Sequence, residues 1–117
     1  MYASLSAVAE HALGADIVPW DVTWPDDAGA PRFDVDALAR LLDDAPTRTA
    51  MVITNFPHNP TGALPTHAEW EEIVELCRRH GAVLFADEMY RGLERDAAST
   101  LTPACAAYPE RLSLIHI

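Results

Sequence analysis

Residues 51–62 read MVITNFPHNPTG and residues 82–90 read AVLFADEMY. These two stretches, with the segment between them, decide the fold. Each opens with an apolar run, residues 51–54 and 82–86, that shows no polar alternation until its end. Such runs suit parallel strands covered on both faces. The segment between them carries a complete set of helix signals. Thr66 and Glu69 stand at capping-box spacing, so the hydroxyl accepts from the third helical N–H and the carboxylate reaches back to the cap. Trp70, Ile73, Val74 and Cys77 recur at i, i+3, i+4 and i+7, which predicts one buried face. Arg78, Arg79 and His80 fill the last turn, where positive charge suits the helix dipole. Gly81 supplies a left-handed stop. Strand, turn, helix and strand form a βαβ unit, with a right-handed crossover expected.

Outward from this unit the signals weaken. Leu5, Val8, Ala9, Ala12 and Leu13 fall at helical spacing before Gly14. Ile17 and Val18 predict a short strand. Residues 20–32 read as a loop, broken by Pro25, Gly29 and Pro31 and carrying the Asp26–Asp27 charge pair. Asp34 is placed to cap a helix over residues 35–42, with Val35, Leu38, Leu41 and Leu42 on one side. Thr102–Pro103 predicts the start of a last short helix through Tyr108. There is no internal repeat and no low-complexity tract.

At 117 residues, half of them hydrophobic, the chain suffices for one small domain with a packed core. Its formal net charge of −10 argues against nucleic acid and anionic membrane surfaces, both of which want lysine and arginine clusters. No apolar run approaches the ~20 residues of a membrane-spanning helix. The first residues lack the basic stretch of a signal peptide. A cytoplasmic location is therefore expected. Cys77 and Cys105 are far apart and read as reduced thiols. His11, His67, His80 and His116 show no ligand spacing, so no metal is expected. Trp20, Trp24 and Trp70 read as core or interface. Arg91 reads as a surface cation, Glu88 as a supporting or solvent-facing residue, and His58 as structural or solvent-facing.

In an open parallel sheet, ligands bind beyond the carboxyl ends of the strands. Asn59 follows the end of the first strand, and Asp87 ends the second. Tyr90, three residues on, reaches the same crevice. Taken singly, each has a plainer explanation: Asn59 as a turn former, Asp87 as a strand-end cap, Tyr90 as a surface aromatic. Taken jointly, an amide, a carboxylate and a phenol converge on one sheet edge.

This combination resembles the cofactor-binding core of pyridoxal-phosphate-dependent aminotransferases of classes I and II. The resemblance runs from about residue 2 to about residue 111. It implies an α/β fold, a mostly parallel sheet flanked by helices, and only the central part of the family's fold-type I large domain. It implies pyridoxal 5′-phosphate as cofactor, an amino acid and a 2-oxo acid as substrates, and a homodimer at full length. Asp87 matches the ligand of the pyridine nitrogen, where a carboxylate keeps the ring protonated and electron-withdrawing. Asn59 and Tyr90 match the two ligands of the ring's phenolic oxygen. The family pattern also implies a cis bond between Asn59 and Pro60, and places Tyr2 in a loop near the substrate without a definable role.

The imine-forming lysine of the family has no counterpart, because the chain contains no lysine. All eight of its basic residues of this class are arginines, at positions 32, 40, 48, 78, 79, 91, 95 and 111. The phosphate-holding turn that precedes this region in the family, and the small domain that follows it, have no match here. The 117 residues alone are therefore expected to be inactive, poorly soluble or partly disordered. Residues 1–111 read as the partial domain. Residues 112–117, LSLIHI, are one translation of a transposon-end sequencing adapter and read as a non-native tail. The competing reading of the tail is a genuine apolar strand.

Three rivals stand beside amino transfer. Another reaction on the same scaffold would be a carbon–sulfur lyase, a decarboxylase or a cyclising synthase. A non-catalytic binding module would account for the missing lysine. A dinucleotide-binding protein lacks support, since no Gly-x-Gly-x-x-Gly follows a strand.

Overall fold

The computed structural model describes residues 7–12, 14–25 and 29–115. Its centre is a parallel three-stranded sheet in the order β3 (Met51–Asn55), β4 (Val83–Asp87) and β5 (Leu112–Ile115). The β3–β4 register runs from Met51 opposite Val83 to Asn55 opposite Asp87. Leu84 to Asp87 then pair with Leu112 to Ile115. Residues 112–115 are thus a paired strand in this fold. The expected α/β architecture is present, and β3, the helix and β4 form the expected βαβ unit.

The crossover helix, which we label α2, spans His67–His80. The predicted capping box is complete: Thr66 Oγ1 accepts from Glu69 N–H at 3.2 Å, and Glu69 Oε2 accepts from Thr66 N–H at 2.6 Å. Gly81 ends the helix at φ 62°. Trp70, Ile73, Val74 and Cys77 are all buried, and Leu76 joins them. They share one core with Val52, Thr54, Leu84 and Ala86 from the strands. Helix α1 (Val35–Asp43) packs beside α2, and Asp34 Oδ1 accepts from Ala37 N–H as its cap. Phe33 and Phe56 meet edge-on at 4.7 Å between ring centroids, and Phe56 meets Trp70 at 6.0 Å.

Several expectations need correction. The strands are not covered on both faces by the described residues: Met51 is 44% exposed and Ile53 only half-buried. Apolar runs report what a strand tolerates, and the second face here has no partner among the described residues. Residues 17–18 form no strand, and Val18 is exposed. The presumed loop over 20–32 instead holds a short antiparallel pair, β1 (Val22–Thr23) with β2 (Arg32–Phe33). Val8–Ala12 is a π-helical turn with no buried residue, so its apolar spacing meets no core. Leu5, Leu13, Asp26, Asp27 and His116 lie outside the described residues. The last helix, α3 (Ala104–Ala107), is one turn long, and Tyr108 behind it is buried with its hydroxyl on Ala82 C=O. Trp24 is 66% exposed, whereas Trp70 is buried and donates through Nε1 to Thr102 C=O at 2.9 Å.

Candidate cofactor site

The carboxyl edge of β3 and β4 is built by polar residues that interrupt apolar strands. Asn55 ends β3 opposite Asp87, which ends β4. The chain then turns tightly through residues 56–63. Both Phe56–Pro57 and Asn59–Pro60 are cis, the second as the family pattern implied. Gly62 N–H donates to His58 C=O at 2.6 Å, and His58 N–H donates to Ala63 C=O at 2.9 Å. Gly62 holds φ 70°, which a side chain rarely adopts. His58 is structural: its Nδ1 lies 2.9 Å from Thr61 Oγ1, and its ring packs edge-on to Phe33. Burial pushes its pKa down.

This turn brings Asn59 back over β4. Its amide Nδ2 lies 3.4 Å from the Tyr90 hydroxyl, 31 positions along the chain. Asp87 is 3% exposed. Its Oδ1 accepts from Met89 N–H at 3.1 Å, while Oδ2 makes no hydrogen bond among the described residues. The three singled-out side chains therefore lie at one sheet edge, with Asn59 and Tyr90 in contact. Tyr2 lies outside the described residues.

Two further residues serve this edge. Asn55 Oδ1 accepts from Asn59 N–H at 2.7 Å, and its Nδ2 reaches Asp87 C=O at 3.4 Å. The signal for it was a polar residue closing an apolar strand just before an Asn-Pro turn. Glu88 is buried and paired with Arg91 at 3.4 Å. Glu88 takes the supporting position that was one of its two expected readings, whereas Arg91, expected at the surface, is mostly covered, because the segment after residue 100 folds over both. No sequence signal marked that return. A narrow cleft beside the sheet is lined by Thr54, Phe56, Trp70, Asp87, Glu88 and Arg91; Asn59 and Tyr90 do not line it. Among the described residues no three potential metal ligands cluster, and no helix is long and apolar enough to cross a membrane.

A family model described as aminotransferase class I and II matches residues 1–116. The chain belongs to this aminotransferase family. It is 36% identical to the arginine–pyruvate transaminase of Pseudomonas aeruginosa over 99% of its own length and 28% of that protein. It is 37% identical to the capreomycidine synthase of Streptomyces vinaceus, over 88% of this chain and 25% of that one. Among solved structures, N-succinyldiaminopimelate aminotransferase from Mycobacterium tuberculosis superposes with a TM-score of 0.80 at 33% identity. That match covers 99% of this chain and 29% of the other. The chain thus spans about a quarter of the length of the curated relatives it matches. Aminotransferases of this family use pyridoxal phosphate, and the chemistry of the donor set fits a pyridine ring. A nearly buried carboxylate, with one oxygen uncommitted among the described residues, suits a ring N–H, and an amide and a phenol in contact suit one shared oxygen.

Proposed function

We propose that this chain is the central part of the large domain of a pyridoxal-phosphate-dependent aminotransferase, moving an amino group between an amino acid and a 2-oxo acid. The observation that carries the reading is the Asn59–Tyr90 contact at the sheet edge where Asp87 ends β4. When bound, the cofactor supplies an electron sink for the carbanion left by the substrate's α-proton. Asp87 would accept the ring N–H through its carboxylate and hold that proton in place. Its burial strengthens the interaction, because little water competes for the carboxylate. Asn59 and Tyr90 would both donate to the phenolic oxygen, which would favour its anionic form. Asn55 fixes the backbone of Asn59, and so the direction of the amide.

The assignment of residues 1–111 to the partial domain belongs to the same proposal, with residues 112–115 pairing as β5 on its sheet; so do a homodimer and a cytoplasmic location. No lysine lies within the chain, so the covalent attachment that aminotransferases use must come from sequence outside these residues. Relatives named for arginine, aspartate and tyrosine transamination favour amino transfer over the lyase, decarboxylase and synthase readings.

The test is to express the full-length protein that contains this chain, with pyridoxal phosphate, and supply 15N-labelled amino acids with 2-oxo acids. Label appearing in a new amino acid supports amino transfer. Label released as ammonia, or carbon dioxide evolved without transfer, overturns it.

A further inference from the structure

Glu88 follows Asp87 directly, is 6% exposed, and takes no part in the Asn59–Tyr90 contact. Its Oε1 accepts from Ala104 N–H at 2.8 Å. Its Oε2 meets the Arg91 guanidinium at 3.4 Å. Arg91 donates onward to Leu101 C=O at 2.6 Å. The Arg91 backbone N–H returns to Glu88 C=O at 2.9 Å, which closes the turn over residues 88–91. The far anchor is fixed in its own right, because Trp70 Nε1 holds Thr102 C=O at 2.9 Å. A carboxylate removed from water needs such partners, and together they leave it one geometry. Tyr90 rides on the turn that this clamp closes.

We infer that Glu88, with Arg91, is a positioning residue for Tyr90: it ties the turn after β4 to residues 101–104 and so aims the phenol at the oxygen it shares with Asn59. The inference rests on the reading of Tyr90 as a ligand of the cofactor's phenolic oxygen. A well-aimed phenol stabilises the anionic oxygen and lowers the proton affinity at that edge of the ring. A loosened turn weakens the donation, and the proton affinity rises.

The experiment uses the full-length protein that contains this chain, loaded with pyridoxal phosphate, and reads the pH midpoint of its visible absorption change. Tyr90→Phe is expected to raise proton affinity about tenfold, or about one pH unit. Glu88→Ala is expected to move the midpoint in the same direction. Glu88→Gln, which keeps an acceptor for Ala104 N–H and loses the charge facing Arg91, is expected to move it less. A shift with Tyr90→Phe and none with Glu88→Ala overturns the positioning role alone. No shift with Tyr90→Phe overturns the Tyr90 assignment, and the inference with it. If Glu88→Ala does not fold, Glu88→Gln decides: a rise supports the clamp, and an unmoved midpoint overturns it.

Discussion

The backbone N–H of Asn59 donates to Oδ1 of Asn55 at 2.7 Å, so the residue that ends β3 fixes the start of the turn that carries the site. The other end of the same amide reaches Asp87 C=O at 3.4 Å. One side chain thereby joins the two segments that hold Asn59 and Asp87. Asn55→Ala leaves a part-buried N–H without its acceptor, at a cost of about 1–3 kcal/mol. The expected outcome in the full-length protein is pyridoxal phosphate binding weakened about tenfold, since about 1.4 kcal/mol is one decade. Equilibrium dialysis of the variant checks it, and unchanged affinity would show that the turn holds without Asn55.

Asp87→Asn separates charge from structure. Asparagine keeps an Oδ1 for Met89 N–H, so the turn after β4 is preserved. The negative charge at Oδ2 is lost. On the proposed reading, kcat falls on the order of a hundredfold or more, as for other preorganised electrostatic groups, while the melting temperature stays near the parent's. Steady-state kinetics beside a thermal melt tests both halves. A large loss of stability with kcat intact would assign Asp87 to the fold instead.

The capping box of α2 predicts a local stability effect that is independent of function. Thr66→Ala removes the acceptor of Glu69 N–H and loosens the return bond from Glu69. The expected loss is about 1 kcal/mol. Urea denaturation of parent and variant measures it, with the midpoint falling and the slope unchanged.

The two thiols should differ sharply. Cys77 is fully buried on α2, and desolvation pushes its pKa up to about 11, whereas Cys105 is exposed. A maleimide reagent at neutral pH is expected to label Cys105 in the native state and Cys77 only after denaturation. Mass spectrometry of the labelled peptides decides. The linkage sign follows from the raised pKa. The unfolded thiol ionises near 9.0, so this stabilising contribution is complete below that pH and falls as pH rises toward 11. Cys77→Ala should flatten that alkaline decline.

The elements with several local signals were legible from sequence alone. Helix α2 had a cap, a periodic apolar face, a basic last turn and a glycine stop, and all four are present because each acts within a few residues. Asp87 was legible because it ends an apolar strand, and Asn59 because it sits in the turn just beyond another. What failed lacked such local agreement. The helix expected around Val8 is present as a π-helical turn, but it has no buried residue, because an apolar stripe becomes a buried face only where something packs on it. Residues 17–18 had apolar character without a pairing partner. The β1–β2 pair escaped notice because each strand is two residues long and gains definition only from the other.

The residues themselves determined the βαβ unit, since capping, helical period and strand hydrophobicity are properties of short stretches. They also determined the polar trio at the strand ends, since strand direction alone sends Asn59, Asp87 and Tyr90 to one edge. Only tertiary structure decided what holds that trio. The 3.4 Å approach of Asn59 to Tyr90 depends on the register that sets Asn55 opposite Asp87. The burial of Glu88 depends on residues 101–104 returning over a turn ten or more positions earlier. Contacts between segments distant in sequence are set by how the layers pack, and no local pattern encodes that distance.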